Sequence, residues 1–139
     1  MNQRVIIIFD LDDTLVNGKM KIPRQTYHML NFFKKKHCVM GVISYNFMAK
    51  WVAHHTHLYK YTQYIFFENV DRDVLFEKCF HQMLQDLQDP QDIEKTNVVH
   101  YVDDRLDNLQ IVKNRFGEQV STHHCPNMYE LHKLKKTIF

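Results

Sequence analysis

Short apolar runs alternate along the chain with longer segments in which apolar residues recur at helical spacing. The short runs predict strands buried on both faces, as in a parallel sheet, and the longer segments predict amphipathic helices. Predicted strands cover residues 5–9, 38–43, 64–67, 98–102 and 119–122. Predicted helices cover residues 23–36, 46–58, 73–87, 106–116 and 127–136. This alternation favours right-handed βαβ crossovers and an α/β fold with helices on both faces of the sheet.

Apolar spacing also predicts which side chains of a helix face the core. In the helix predicted at 46–58, Phe47 and Trp51 are placed on the inner side, together with His54 or His55. Aromatic residues make up 13% of the chain and are interpreted, as a group, as core residues.

Chain length limits the number of domains. At 139 residues the chain is predicted to form one domain spanning residues 1–139, with little room for a second. Residues 16–22 contain the turn signal Asn17-Gly18 and are too few to hold a folded cap. The segment 89–92, Asp-Pro-Gln-Asp, is predicted to break the third helix. With three glycines in all, the chain lacks a glycine-rich phosphate loop, which argues against nucleotide-dependent phosphorylation.

Charge and cysteine content narrow the class of protein. The formal net charge of +2 does not by itself indicate nucleic-acid binding, and the lysines at 34–36 are interpreted as a solvated helix end that suits the helix dipole. Three widely spaced cysteines predict neither a disulfide framework nor a structural zinc site, so a reducing, intracellular and cytoplasmic location is expected. The first apolar run is too short to span a membrane, and its acids do not fit a signal peptide.

Polar residues follow three of the predicted strands at the point where each strand ends. They are Asp10, Asp12 and Asp13 after the first strand, Ser44 after the second, and Asp103 and Asp104 after the fourth. Because the carboxyl ends of parallel strands meet at one edge of a sheet, where ligands bind in α/β proteins, we expect these side chains to converge.

The first acidic cluster places two carboxylates on one side of the chain. Asp10 and Asp12 face the same way, because side chains two apart on an extended segment share a direction, while Leu11 turns into the core. Two such carboxylates repel each other unless a cation neutralises them, and an all-oxygen ligand set suits Mg²⁺. The alternative is an acidic turn or a helix N-cap, since Asp13 and Thr14 are both common capping types.

The string Asp-Leu-Asp-Asp-Thr at residues 10–14 resembles the Asp-x-Asp-x-Thr signature of the haloacid dehalogenase (HAD) superfamily of phosphotransferases. Further along the chain, the residues at 78–81 and 102–104, with Asn108, resemble the small capless branch, subfamily IIIC, that includes magnesium-dependent phosphatase-1. The resemblance covers residues 5–117 and implies a single Rossmann-like domain without a cap.

The resemblance implies roles for the residues of the first motif. Asp10 would be the nucleophile that forms an aspartyl phosphate, and Asp12 would donate and later accept the proton. The Mg²⁺ ligands would be Asp10, the backbone carbonyl of Asp12, and Asp103. Thr14 would fix the loop, and Asp13 is given no role.

The second motif of the family is a Ser or Thr at a strand end that holds a phosphate oxygen. Ser44 follows the second predicted strand in this way, and Tyr45 and Asn46 could contribute main-chain donors. A serine in this place is also a common helix N-cap, and the two roles are compatible.

The third motif is a Lys or Arg that neutralises the nucleophile and the phosphoryl group. Lys78 is assigned this role because of its surrounding sequence, with Lys60 and Arg72 as the alternatives. Arg72 lies near the end of the third predicted strand and could equally bind substrate phosphate.

The fourth motif ends in two adjacent acids. Asp103 would complete the Mg²⁺ site, and Asp104 would be either a water-mediated ligand or a partner for Lys78. Adjacent side chains on an extended strand cannot both face one ion, so a bend is implied after Asp103. Asn108 would fix the loop.

Two further groups of residues offer candidate sites. The ten histidines include clusters at 54–57 and 123–124, but no cysteine pair completes a zinc site, and they are interpreted as surface or core residues. The lysines at 34–36 and 133–136 could form a basic track for nucleic acid if they lie beside the active site.

These observations predict a Mg²⁺-dependent phosphatase acting through an aspartyl phosphate. A site without a cap favours phosphate groups on a large partner, and a phosphoprotein carrying phosphotyrosine or phosphoserine is the first expectation. The alternatives are a nucleic-acid 3′-end phosphatase, a small sugar phosphatase, and a non-catalytic module that recognises phosphate. No membrane partner is expected, and the choice between monomer and dimer stays open.

Overall fold

This computed structural model describes residues 3–87 and 96–139, which contain five strands and five α-helices. The strands are β1 (Gln3–Asp10), β2 (Val39–Ser44), β3 (Tyr64–Phe67), β4 (Thr96–Asp103) and β5 (Val120–His124). The helices are α1 (Arg24–Lys35), α2 (Ala49–His55), α3 (Arg72–Asp86), α4 (Leu106–Phe116) and α5 (Leu134–Ile138). Short 3₁₀ segments lie at Leu58–Lys60, Gly117–Gln119 and Met128–Lys133. The alternation of strands and helices confirms the predicted α/β fold class.

The strands form one parallel sheet in the order β3-β2-β1-β4-β5. β1 lies at its centre, paired with β2 on one side and with β4 on the other. The strand order reverses at β1, and such switch points are where open α/β sheets leave a ligand-binding crevice. The ends of β1, β2 and β4 therefore lie side by side at the edge we call the carboxyl edge.

Two layers of helices cover the sheet. Alternate side chains of β1 point to opposite faces, so Ile7 and Phe9 pack in one core and Ile6 and Ile8 in the other. The first core is closed by α1, α2, the 3₁₀ segment Met128–Lys133 and α5. The second is closed by α3 and α4. This double cover explains why the first strand is apolar at every position from Ile6 to Phe9.

The second helix differs from its prediction. It begins at Ala49, and its buried residues are Ala49, Val52 and Ala53. The Asn46 side chain accepts a hydrogen bond from the Met48 amide (2.9 Å), which forms a turn before the helix and delays its start. Phe47 is therefore 78% exposed and Trp51 47% exposed, and their predicted core positions are wrong.

The two histidines of that helix are also exposed, and the His55 ring stacks on Trp51 with centroids 5.0 Å apart. The predicted last helix is divided as well, because a 3₁₀ segment precedes α5. The Asn127 side chain caps that segment by accepting from the Tyr129 amide (3.0 Å). The predicted break at 89–92 lies outside the described residues.

The connection from β1 to α1 is a short turn. The Asn17 side chain accepts hydrogen bonds from the amides of Lys19 (2.9 Å) and Lys21 (3.1 Å), which closes the turn on itself. No cap covers the carboxyl edge in residues 3–87 and 96–139, in agreement with the expected capless fold. Over the same ranges, no helix has both the length and the apolar character needed to cross a membrane.

Replacing Gly41 with alanine is expected to lower the free energy of unfolding by about 1–2 kcal/mol. A Cβ at Gly41 would lie 2.8 Å from Cys79 Sγ and 3.1 Å from Met83 Sδ, inside the core between β2 and α3. Chemical denaturation measures the change. Gly18→Ala is the control, because its Cβ would meet nothing within 4 Å, and equal stability of the two variants would contradict the prediction.

Candidate active site

The carboxyl edge brings the predicted strand-end residues together. Asp10 ends β1, Ser44 ends β2 and Asp103 ends β4. Leu11 is fully buried in the core, so the chain carries the flanking acids outward as the alternation of side chains requires. The Ser44 hydroxyl donates to Asp12 Oδ2 (3.2 Å) and accepts from the Asn46 amide (2.9 Å). These contacts link the second strand end to the first.

Asp10 is the buried carboxylate at the centre of this group. Its Oδ2 accepts a hydrogen bond from the Thr14 hydroxyl (3.2 Å), and its Oδ1 lies 3.4 Å from Arg72 Nη2. The same Thr14 hydroxyl is 3.4 Å from Asp104 Oδ1, so it connects the ends of β1 and β4. Burial, together with the negative charge of Asp103, raises the pKa of Asp10 to about 9, although Arg72 acts in the opposite direction.

Asp10, Asp103 and Asp104 form a cluster of acids. Each offers a carboxylate oxygen, and the three oxygens lie within 4.8 Å of one another. β4 ends at Asp103 and the chain bends at Asp104, so both neighbouring acids reach the cluster as the predicted bend requires. Two of these three anionic oxygens are on buried side chains. They fit a divalent cation, because the single positive charge of Arg72 does not neutralise all three. The set could therefore hold a metal ion.

The Asp103 carboxylate is fixed by three donors. Its Oδ2 accepts from the Tyr101 hydroxyl and from Asn108 Nδ2 (3.1 Å), and its Oδ1 accepts from the Arg105 amide (2.9 Å). Burial raises the pKa of Asp103, and these hydrogen bonds lower it in part. Sequence reasoning missed Tyr101. The available signal was its position two residues before Asp103, which places it on the same face of the strand.

Arg72 is the cation that contacts Asp10. Its side chain is 4% exposed, and its guanidinium carbon lies 4.2 Å from the centre of the Tyr45 ring. Burial lowers the pKa of Arg72, but Tyr101, Asp10 and Asp103 raise it by more, so the group stays charged. Its Nε and Nη1 make no hydrogen bond to any described residue.

The structure does not bring Lys78 to the acids. Lys78 Nζ pairs with Glu68 at 2.5 Å, and its side chain is 48% exposed. α3 begins at Arg72, directly at the carboxyl edge, and Lys78 lies about 9 Å further along that helix. Of the other two candidates, Lys60 lies at the opposite end of β3, where its carbonyl accepts from Lys34. Arg72 therefore occupies the place assigned to Lys78, and Asp104 has no contact with that lysine.

Without metal, the protein is expected to lose stability as the pH rises from about 4 to about 9. The pKa of Asp10 is raised on folding, so its folded carboxyl keeps a proton that the unfolded chain releases. The contribution is complete below the unfolded pKa and is lost as the pH passes through the folded one. Thermal melts in a chelator should show this decline, and Asp10→Asn should decline less steeply. If the melting temperatures of the two proteins fell equally with pH, the raised pKa would not belong to Asp10.

The fold matches that of a solved structure described as a HAD-superfamily hydrolase from Ehrlichia chaffeensis. The two share a TM-score of 0.68 and 13% sequence identity over 99% of this chain and 98% of that chain. No protein-family model matches the sequence, and no curated protein does. The class defined here is a Rossmann-like α/β protein with acids at its carboxyl edge. More particularly, the chain shares the fold of that HAD-superfamily hydrolase, and no cap covers the carboxyl edge among the described residues.

Proposed function

We propose that this chain is a HAD-superfamily phosphomonoester hydrolase that uses Mg²⁺ and an aspartyl phosphate formed on Asp10. The observation that carries the proposal is the buried pair of Asp10 and Arg72. Arg72 has two buried nitrogens without a hydrogen-bond partner among the described residues, next to the carboxylate that ends β1. A guanidinium with spare donors beside a carboxylate suits a bound phosphoryl group, whose oxygens would accept from it.

The proposed reaction gives Asp10 and Asp12 the roles that the resemblance to the superfamily implies. A carboxylate oxygen of Asp10 attacks phosphorus, and the bond from phosphorus to the leaving oxygen breaks. Asp12 donates its proton to that oxygen. Asp12 then accepts a proton from the water that attacks the same phosphorus, and the bond to Asp10 breaks to release inorganic phosphate. The Ser44 hydroxyl, which contacts Asp12, and the Arg72 guanidinium would hold the phosphoryl oxygens.

The acid cluster would hold the cation. Asp10 and Asp103, with the backbone carbonyl of Asp12, would bind Mg²⁺, and Asp104 would bind it directly or through water. The bound ion would supply positive charge against the phosphoryl oxygens. Asn108 keeps the Asp103 carboxylate in place (3.1 Å), and Thr14 holds Asp10 and Asp104 together.

The substrate is proposed to be a phosphorylated protein in a reducing, cytoplasmic compartment. Supporting this, no cap covers the carboxyl edge in the described ranges, and exposed aromatic residues follow Ser44 directly. Tyr45 and Trp51 are each nearly half exposed, and Phe47 is almost fully exposed. Such side chains suit the apolar contacts of a peptide on either side of a phosphorylated residue. Within the superfamily, the strand-end acids and Asn108 support the capless branch, whereas the position of Lys78 does not.

Hydrolysis of p-nitrophenyl phosphate with and without Mg²⁺ tests the proposed chemistry. We expect turnover that needs the metal and stops when a chelator is added. A panel of phosphotyrosine and phosphoserine peptides, compared with a sugar phosphate, then tests the substrate class. Absence of turnover of every substrate with every divalent ion tried would reject the phosphatase and leave a phosphate-recognising module.

Tyr101→Phe is expected to raise the Mg²⁺ concentration needed for half-maximal activity by about 10-fold. The substitution removes one of three donors that orient Asp103 and changes nothing else in the buried ring. A titration of activity against Mg²⁺ measures the shift, with the rate at saturating metal expected to stay near that of the native protein. If the rate at saturating metal fell while the Mg²⁺ concentration for half-maximal activity stayed the same, Tyr101 would act in the chemical step instead.

A further inference from the structure

Lysines from three separate parts of the chain meet at the amino-terminal ends of the strands. Lys36 Nζ lies 5.6 Å from the centre of the Phe32 ring, and Lys135 Nζ lies 5.8 Å from the same ring. Lys34 Nζ donates to the Lys60 carbonyl at 2.7 Å. The two lysine runs are thus neighbours in space. We call this surface the basic end, and its lysines are Lys34, Lys35, Lys36, Lys60, Lys135 and Lys136.

The basic end is remote from the acid cluster. α1 starts near the carboxyl edge, runs antiparallel to the strands and delivers its last residue to the start of β2. Its twelve residues span about 18 Å. The basic track considered from the sequence therefore exists, but it does not lie beside the active site. Its positive charge must serve something other than the phosphoryl group being hydrolysed.

Among residues 3–87 and 96–139, no carboxylate pairs with these lysines. The sequence has no Asp or Glu between Asp13 and Glu68, and none after Glu130. In the described ranges, none of the six lysines of the basic end pairs with an acid. The opposite helix layer differs, since Arg115 pairs with Asp73 and Glu77. The net charge of the whole chain is only +2, yet its positive charges are concentrated on this one surface. A solvated helix end explains each of these groups singly, since Lys135 and Lys136 lie in the last turn of α5 and Lys60 ends a 3₁₀ segment. It does not explain why the groups meet on one surface.

Aromatic rings lie beside these cations. Lys36 Nζ is 5.8 Å from the centre of the Phe139 ring, which is about half exposed, and Lys34 Nζ is 5.9 Å from the centre of Tyr61. Beyond Lys60 the surface opens into a groove of about 310 Å³. Its aromatic lining residues are Tyr59, Tyr61 and Tyr64. The surface therefore places positive charges beside aromatic rings, of which Phe139 and Tyr59 are exposed.

We propose that the basic end binds single-stranded nucleic acid. Uncompensated ammonium groups on one surface attract successive phosphates, and exposed rings beside them stack on unpaired bases. A duplex hides its bases from such rings. An anionic membrane would satisfy the charges, but among the described residues the exposed large side chains of this surface are Phe139 and Tyr59, which is little apolar area to insert into it. The proposal is independent of the phosphatase reaction, because no residue of the basic end touches the acid cluster.

Fluorescence anisotropy with a labelled oligothymidylate of about 15 nucleotides without terminal phosphates tests the proposal. Such a probe has no phosphomonoester for the active site. We expect binding to weaken with salt, with a log–log slope of about −3.5 to −4 for five or six phosphate contacts on a single strand. Asp10→Asn should bind equally well. No binding at low salt, or loss of binding in Asp10→Asn, would overturn the proposal without bearing on phosphatase activity.

Two matched pairs of variants sharpen the test. Lys36→Glu with Lys135→Glu should weaken binding by at least about 10-fold, whereas Lys19→Glu with Lys21→Glu, an equal change of net charge on another surface, should weaken it much less. Lys36→Gln with Lys135→Gln gives a milder version should the first variant melt early. Equal losses in the two charge-reversed proteins would mean that net charge alone decides binding.

The second pair concerns stacking. Tyr59→Ala should weaken binding about 5-fold or more, and Tyr129→Ala, at an exposed tyrosine away from the groove, should leave it unchanged. Vesicles of phosphatidylserine and phosphatidylcholine provide the competing surface. Binding to vesicles tighter than to the oligonucleotide, with the same response to the lysine variants, would replace nucleic acid by a membrane as the partner.

Discussion

Asp10→Asn is expected to lower the turnover of p-nitrophenyl phosphate by at least about 1,000-fold while the fold is retained. The substitution is isosteric, but an amide oxygen is a far weaker nucleophile than a carboxylate and does not form the acyl phosphate. Because the pKa of Asp10 is raised by burial, removing its charge should also make the metal-free protein more stable above neutral pH. Lost activity together with an unchanged or higher melting temperature separates a chemical role from a structural one.

Asp13→Asn is the matched control for this experiment. Asp13 is exposed, lies three positions away and has a φ of 63°, a left-handed conformation that asparagine adopts readily. Its activity should stay near that of the native protein. Mass spectrometry after rapid mixing should find one added phosphoryl group on the native chain and none on Asp10→Asn. Turnover by Asp10→Asn within 10-fold of native would remove Asp10 from the chemical step.

Arg72→Met is expected to lower turnover by about 100- to 1,000-fold, the loss typical of removing a positioned donor to developing charge. Methionine keeps an unbranched side chain in the buried space but offers neither charge nor donors. Arg72→Lys should recover only part of the rate, because a single ammonium lacks the planar fork of the guanidinium. Inhibition by vanadate should weaken in both variants, since vanadate would bind where the phosphoryl group binds.

Lys78→Met decides between the two cations proposed for the third motif. Lys78 pairs with Glu68 on an exposed surface, so its loss should change the rate less than 3-fold and the stability by no more than about 1 kcal/mol. The opposite result, with Lys78→Met inactive and Arg72→Met active, would restore the interpretation drawn from the sequence. It would also mean that α3 moves when substrate binds.

The positions of the strand ends could be predicted from the sequence, because all strands of a parallel sheet end at the same edge. Each buried strand is read from consecutive apolar residues, and parallel pairing then forces Asp10, Ser44 and Asp103 to one edge without knowledge of any loop. The bend after Asp103 followed from the same geometry, because neighbouring side chains on a strand point apart.

The cation of the third motif could not be predicted in this way. The start of the third helix was predicted within one residue, at 73 against Arg72 in the structure, so the helix itself was not misplaced. Lys78 was chosen from the residues around it, and it lies six residues, about 9 Å, beyond the helix end that meets Asp10. Trp51 was misplaced because the buried face of α2 is formed by the smaller residues Ala49, Val52 and Ala53. Tyr101 was missed because a buried tyrosine in a strand reads as core.

The adjacency of the two lysine runs was also beyond the sequence. It depends on the packing of α5 beside α1, and the two helices are separated by four strands in chain order. Periodicity assigns each lysine to an exposed helix face, but it does not say which exposed faces are neighbours.

The central position of β1 has a consequence for how the protein reaches its active form. β1 is made first, yet Gln3 pairs with Thr96 and Phe9 with Val102, partners from the far part of the chain. Pairing over such distances in sequence is slow compared with helix formation. Asp10 and the acids of β4 therefore meet only after most of the chain has been synthesised. A nascent chain that stops before β4 would carry the Asp-x-Asp-x-Thr string without Asp103 and Asp104, so the cluster that could hold a metal ion is completed late in assembly.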